Sequence, residues 1–156
     1  MNARVTARVS RPEQIDYVSS HLLQGAALLT RLLIRQIGGE LSRSEVSLLR
    51  TLSDGPGRIT DLAELEGLAQ PTMTILIKQL EEQGLVRRER HGDDGRVVLV
   101  NLTEAGSVAL EHYRERVKAV LGTYVAEIPD QQLQALAAAT EALTQLVTLM
   151  QQSAGR

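Results

Sequence analysis

The stretch from residue 71 to residue 102 places a short amphipathic helix pattern directly before two β-rich runs. The apolar stripe of the helix pattern consists of Met73, Leu76, Ile77 and Leu80. Gly84 suits the end of this helix, where the backbone needs a positive φ. The runs 85-LVRRERH-91 and 96-RVVLVNL-102 are joined by 92-GDDG-95, which is typical of a hairpin turn. The stretch therefore predicts a helix followed by a β-hairpin.

Three more helices are predicted ahead of that stretch. The first is a long helix that opens at Pro12-Glu13 and stops at Gly38-Gly39. The second begins at the capping box of Ser42 with Glu45 and ends at Gly55-Pro56-Gly57. The third is 61-DLAELEGL-68, which Thr60 or Asp61 can cap. Pro71 suits the first turn of the helix that follows. Two short helices joined by a brief turn, the second amphipathic and followed by a hairpin, are typical of a winged helix-turn-helix.

Two long helices are predicted after the hairpin. Thr103 can cap the first, Pro129 ends it, and the second begins after Asp130. In the second, steps of three and four residues alternate along Leu133, Leu136, Thr140, Leu143, Val147 and Met150. Because this spacing is that of a coiled-coil seam, we expect the terminal helices to pack together and against a second copy of the chain.

Composition excludes several classes of function. The chain has no cysteine, so disulfides and thiolate metal sites are excluded. No apolar run approaches the ~18 residues that cross a bilayer, and the first residues lack the apolar core of a signal peptide. The histidines, His21, His91 and His112, show no close-spaced ligand or catalytic pattern. We therefore expect a cytoplasmic protein without membrane contact, catalytic site, metal or cofactor.

Positive charge concentrates on the predicted hairpin, although the net charge of the chain is only −2. The cationic side chains there are Arg87, Arg88, Arg90 and Arg96, and Asp94 can hold the Arg96 guanidinium by a charge-assisted bond. An arginine at the edge of a hairpin suits the negative potential of a narrow minor groove. Alternatively, the mixture of arginines and acids only solubilises the hairpin.

The outward positions of the preceding helix are small or polar, with one exception. They include Pro71, Thr72, Thr74, Ile75 and Lys78. Threonine hydroxyls reach phosphates or bases, and a lysine suits the phosphate backbone. Ile75 is the exception, and its side chain can pack on a thymine methyl. These residues, with the hairpin arginines and Asp94, form the predicted DNA-binding set.

Three segments carry a family resemblance. The pattern 80-LEEQGLVRR-88, then Asp94-Gly95-Arg96, then 102-LTEAG-106 resembles the signature of the MarR (multiple antibiotic resistance regulator) family of winged-helix regulators. The match extends upstream through 45-EVSLLRTL-52 and 61-DLAELEGL-68. The resemblance implies a mainly α, intertwined homodimer that binds a palindromic double-stranded operator, usually as a repressor, and releases it when a small aromatic or phenolic acid binds.

The resemblance also implies a division of the chain. A single domain, 13–156, would follow a flexible basic tail, 1–12; it would hold a DNA-binding lobe, 42–102, and dimerisation helices, 13–40 and 103–152. Family members often have arginine where Ile75 stands, so one common DNA contact is missing. The effector-binding residues stay unassigned, although Tyr17, His21, Arg31, Arg35, His112 and Tyr113 lie on helices that can line a pocket.

Two alternatives remain open at this stage. Pro71, Ile75 and the weak net charge of the helix favour a winged-helix module that docks onto protein instead of DNA. Some members of the resembled family bind zinc through histidines and carboxylates, which leaves a zinc-responsive repressor of the same fold. The absence of cysteine removes the peroxide-sensing branch of the family.

Overall fold

Helices form most of the structure, a computed structural model that describes residues 10–39, 41–91 and 97–154. Within these ranges the elements are α1 (Arg11–Ile37), α2 (Arg43–Ser53), β1 (Gly57–Arg58), α3 (Ile59–Leu65), α4 (Gln70–Glu82), β2 (Val86–His91), β3 (Val97–Leu102), α5 (Glu104–Val125) and α6 (Asp130–Ala154). The order confirms the predicted mainly α fold with a winged helix-turn-helix. None of the described helices combines the length and apolarity that a membrane span requires.

The strands form one antiparallel sheet with the order β1-β3-β2. Strands β2 and β3 pair from Val86 opposite Leu102 to His91 opposite Val97, which confirms the predicted hairpin; we call it the wing. The sequence did not predict β1, in which Gly57 pairs with Val100. A strand of two residues shows no alternation of apolar and polar side chains, and Gly57 by its residue type indicates only the end of a helix.

The hydrophobic core joins α2, α3, α4, the first half of α5 and the sheet. Its buried side chains are Leu48, Leu49, Leu52, Leu62, Ala63, Met73, Leu76, Ile77, Leu80, Val86, Val100 and Leu110. All four residues of the predicted α4 stripe belong to it. Burying such a stripe orients the helix, because rotation about its axis would bring polar residues into the core. Helix α4 therefore presents a fixed outer face.

Helix ends follow the predicted capping signals in most places. Ser42 and Glu45 form the capping box of α2, and Gly106 donates its backbone N–H to the Thr103 hydroxyl at the start of α5. Helix α1 begins at Arg11, slightly before Pro12-Glu13, because Ser10 forms a capping box that the sequence analysis missed. Helix α5 ends at Val125, ahead of Pro129.

The predicted cap of α3 is wrong. The helix begins at Ile59, and Arg58 occupies the N-cap position without a side-chain hydrogen bond. Thr60 lies inside the helix, where its hydroxyl donates to Asp61 at 2.9 Å. The helix starts earlier than predicted because β1, pairing with β3, leads directly into it. Its last residue, Leu65, precedes Gly67, whose φ of 63° turns the chain toward α4.

The chain divides after Val117 into two compact units. The first unit contains the core and the sheet. The second contains the end of α5 and all of α6. Every described side chain of α6 is exposed, including the apolar residues Leu133, Leu136, Leu143, Leu146, Val147, Leu149 and Met150. The helix is amphipathic by sequence, yet no described residue buries its apolar face.

Candidate nucleic-acid interface

The outer face of α4, which we call the recognition helix, carries the residues that the sequence placed there. Pro71, Thr72, Thr74, Ile75 and Lys78 are all exposed, whereas the stripe beneath them is buried. The N-cap residue of the helix is Ala69, and among the described residues no side-chain hydrogen bond caps this end. The backbone N–H groups of a first helical turn carry partial positive charge, so this end suits a phosphate group.

The two threonines of this face differ in their hydrogen bonding. The Thr74 hydroxyl donates to the carbonyl of Gln70 at 2.9 Å, so its proton is used inside the helix. The Thr72 hydroxyl has no partner among the described residues and is free to donate or accept. Lys78 forms an exposed ion pair with Glu82 at 3.6 Å, a weak contact that a phosphate can replace.

The wing arginines occupy different environments. Arg87 is exposed and pairs with Glu89 at 3.0 Å on the same strand. Arg90 is exposed and has no acidic partner in the part of the chain that the structure describes. Asp94 and Arg96 of the predicted set lie outside the described residues, so their roles stay predictions.

Arg88 turns back toward the recognition helix. Its Nε lies 3.4 Å from a carboxylate oxygen of Glu81, an ion pair rather than a hydrogen bond, because Nε has no partner of hydrogen-bond geometry in the described part of the chain. Its Nη2 donates to the carbonyl of Thr74 at 3.5 Å. Only 31% of its side chain is exposed, against 61% for Arg87. Arg88 therefore contacts Glu81 and Thr74 of the recognition helix, which its residue type did not reveal.

Two segments that carry the resemblance, 80-LEEQGLVRR-88 and 102-LTEAG-106, meet where the recognition helix ends. Gly84 has a φ of 74°, and the next residue, Leu85, donates its N–H to Leu80. The Thr103 hydroxyl donates to the Gly84 carbonyl at 2.7 Å, which ties this turn to the start of α5. A Cβ on Gly106 would lie 2.1 Å from the Leu85 carbonyl oxygen. The glycine thus permits the contact that fixes α4 against α5.

A cavity of about 580 Å³ opens beside the same turn. Its lining residues are Gly39, Leu41, Gln83, Leu85, Ala109, His112, Tyr113 and Arg116. Apolar walls with a few polar groups are typical of small-molecule sites, and the volume lies in their usual range. Because Gln83 and Leu85 directly follow the recognition helix, a molecule in this cavity would touch the end of that helix.

Arg116 joins this cavity to the end of α1. Its Nη2 donates to the carbonyls of Ile37 and Gly38, the latter at 2.6 Å. Helix C-termini carry partial negative charge, so the guanidinium stabilises this end of α1. No carboxylate neutralises it among the interactions of the described residues. The cavity therefore has a cationic wall.

Glu45 is a buried carboxylate beside this region, with 8% of its surface exposed. Burial acts to raise its pKa, but hydrogen bonds from Ser42 and from the Gln83 amide outweigh this effect and leave the pKa of Glu45 below its ordinary value. Gln83 donates to Glu45 at 3.3 Å and also lines the cavity. The carboxylate therefore stays ionised at neutral pH and holds the last turn of the recognition helix.

Only part of the predicted pocket set lines the cavity. His112 and Tyr113 do, whereas Tyr17 and His21 stack on each other along α1 with ring centroids 4.4 Å apart. Arg31 and Arg35 do not line it. Gln83 and Arg116 could not be predicted from the sequence, because each reaches the site through contacts distant in sequence. Within the described ranges, no group of three His, Asp or Glu side chains is placed to hold a metal ion.

Comparisons with known proteins fit this geometry. The model of the MarR family matches residues 41–98, which include the recognition helix. HTH-type transcriptional regulator YxaD of Bacillus subtilis is 34% identical over 100 residues, covering 64% of this chain and 68% of that relative. The chain spans 55% and 57% of the length of two other curated relatives, both also HTH-type transcriptional regulators.

Solved structures share the fold. A MarR family protein from Bacillus stearothermophilus has a TM-score of 0.69 at 23% identity, covering 89% of this chain and 99% of that one. BpsR of Bordetella bronchiseptica, whose DNA binding is regulated by 6-hydroxynicotinic acid, has a TM-score of 0.57 at 20% identity, covering 81% of this chain and 98% of its own. At these identities the likeness shows a shared fold.

Proposed function

We propose that this protein, which belongs to the MarR family of transcriptional regulators, binds a specific double-stranded operator as a homodimer and represses transcription. One observation carries the proposal. The recognition helix exposes a face that is small or polar except at Ile75 while its apolar stripe is buried, and the exposed arginines Arg87 and Arg90 lie on the adjoining wing. Such a role also requires a cytoplasmic location.

DNA contacts divide between the two elements. Thr72 has a free hydroxyl for a base edge or phosphate, and Lys78 suits the phosphate backbone. Arg87, Arg90 and, from sequence alone, Arg96 would approach the minor groove or its phosphates. The two recognition helices of a dimer would then enter successive major grooves, about 34 Å apart, on a palindromic operator.

Dimerisation through the terminal helices follows from their uncovered apolar faces. Leu136 and Leu143 of α6 are 46% and 40% exposed, and they belong to a seam with coiled-coil spacing. Helix α1 exposes a similar set, Ile15, Tyr17, Val18, Leu23, Leu28, Leu29 and Leu32. Exposed apolar helix faces of this kind are typical of an interface between subunits.

A small organic acid is the proposed effector. The cavity beside α5 has apolar walls, the Tyr113 ring, the His112 side chain and the Arg116 guanidinium, a combination that suits an aromatic ring bearing an anionic group. The fold-level neighbour BpsR responds to an acid of this class. A ligand touching Gln83 and Leu85 would change the position of the recognition helix and so release the operator.

Binding to the intergenic DNA that flanks the gene tests the proposal. We expect fluorescence anisotropy to detect a complex that aromatic acids dissociate. Lys78→Gln should lower the salt slope, the change in log affinity with log salt concentration, by about one, because one phosphate contact is lost. Arg114→Gln, a matched loss of charge on α5, should leave the slope unchanged. Absence of binding to any flanking duplex would refute the proposal.

Two exposed apolar residues favour a second candidate, docking onto another protein. Ile75 is 59% exposed on the recognition helix, and Leu65 is 73% exposed at the end of α3. If Ile75 instead reads a thymine methyl, replacing that thymine by uracil in the operator should weaken binding about threefold, and Ile75→Ala should remove this difference. Insensitivity of the wild-type protein to every such replacement would favour the protein-docking candidate.

A further inference from the structure

Arg88 and Glu81 link the wing to the recognition helix through three contacts. The Arg88 guanidinium lies 3.4 Å from one Glu81 oxygen, and the other Glu81 oxygen accepts the backbone N–H of Arg88 at 3.2 Å. The same guanidinium donates to the carbonyl of Thr74 at 3.5 Å. Strand β2 is therefore held to α4 at Glu81 and at Thr74, two separate turns of the helix.

An arginine is chemically suited to this link. Its planar guanidinium presents several N–H groups in fixed directions, so one side chain can meet a carboxylate and a carbonyl together. The Glu81 carboxylate also neutralises the positive charge. Arg88 is thus less available to a phosphate than Arg87, which is twice as exposed on the same strand.

We propose that Glu81 and Arg88 are positioning residues that hold the wing at a fixed distance from the recognition helix, so that both elements meet the duplex as one rigid unit. This inference rests on the proposed DNA-binding function and assigns Arg88 a different role from the direct DNA contact expected from the sequence. Fixed spacing improves the fit to the operator and adds little to binding of arbitrary DNA, since non-specific affinity comes from phosphate contacts.

The test measures the ratio of non-operator to operator dissociation constants, over a range of salt concentrations, for Glu81→Ala, Arg88→Gln and the double variant. We expect each single substitution to lower this ratio about tenfold, and the double variant to lower it no further, because the residues act as a pair. The salt slope of Arg88→Gln on operator DNA should match that of the wild type. Thermal unfolding confirms that each variant is folded at the assay temperature.

Two control substitutions separate positioning from charge. Glu82→Ala removes the same charge from the neighbouring exposed position and should leave the ratio unchanged. Arg90→Gln removes an exposed wing cation and should lower the salt slope by about one with little change in the ratio. These controls show what loss of charge alone produces in each readout.

A changed salt slope in Arg88→Gln, together with tighter DNA binding by Glu81→Ala, would overturn the inference. If Arg88 binds phosphate, Arg88→Gln lowers the salt slope by about one, while Glu81→Ala frees the guanidinium and tightens binding to both DNAs. A ratio unchanged in both single variants would also overturn it. If the wild-type protein does not distinguish operator from other DNA, the proposed function itself fails, and this result is visible before any variant is made.

Discussion

Helices α4 and α6 are both amphipathic, but they differ in where their apolar faces lie. The stripe of α4 is buried in the core of its own unit, with Met73, Ile77 and Leu80 fully enclosed. The seam of α6 is exposed along its whole length in a single chain; Leu143, for example, is 40% exposed. The same sequence pattern thus has two outcomes, one buried within its own unit and one left exposed, which we propose is covered by a second subunit.

We therefore expect α4 to determine the stability of each subunit and the α6 seam to determine the association of subunits. Substitutions under α4 should act on the free energy of unfolding of each subunit, whatever the protein concentration. Substitutions on the α6 seam should act on association, whose contribution to stability depends on concentration. The predictions below test that separation.

A charge on the α6 seam is expected to have the largest effect. Leu143→Asp would bury a carboxylate in the proposed dimer interface, so we expect the dimer to dissociate and operator affinity to fall more than about a hundredfold. Analytical ultracentrifugation and anisotropy measure the two effects on one sample. Gln145→Asp places the same charge on α6 off the seam and serves as the control. A dimeric Leu143→Asp variant would contradict the assignment of the seam.

Gly106→Ala is expected to destabilise the unit that contains α4 by at least about 3 kcal/mol, because the new methyl group would collide with the Leu85 backbone. Chemical denaturation monitored by circular dichroism measures the loss. Gly122→Ala is the matched control, since a Cβ there meets nothing within 4 Å. Equal stability of the two variants would mean that the α4–α5 contact adapts easily.

Parallel alanine substitutions compare the two helices directly. Leu80→Ala should lower the free energy of unfolding by about 2–5 kcal/mol at every protein concentration, because it leaves a cavity in the core. Leu143→Ala should shift the unfolding midpoint by an amount that depends on protein concentration, since it weakens association. Concentration independence in both variants would remove the distinction between the helices.

The two capping boxes give the smallest expected effect. In each box, hydrogen bonds from the serine lower the pKa of the glutamate below its ordinary value of 4.5. The glutamate is the buried Glu45 beside Ser42 and the exposed Glu13 beside Ser10. A lowered folded-state pKa stabilises the fold above the unfolded pKa, and the stabilisation is lost as pH falls through the folded value. Glu45→Gln should therefore cost about 1 kcal/mol at pH 7 and little at pH 3. Glu13→Gln should change stability less, and urea titrations at both pH values compare them.

Local signals made much of the fold predictable. The spacing of Met73, Leu76, Ile77 and Leu80 defined the buried and exposed faces of α4, and Gly84 marked its end. Contacts between distant segments could not be predicted in this way. Strand β1 is defined by its pairing with β3, and Arg116 reaches the end of α1 across the fold. Residue type likewise predicted that Arg88 is cationic, but not that it faces Glu81.

Selection of binding sites from random duplex DNA tests the central claim most directly, because it requires both a DNA-reading helix and a dimer. We expect enrichment of an inverted repeat whose half-sites lie about 10 base pairs apart, centre to centre. The Leu143→Asp variant should enrich no such repeat. Recovery of no consensus, or of a single half-site without its inverted copy, by the wild-type protein would contradict the account.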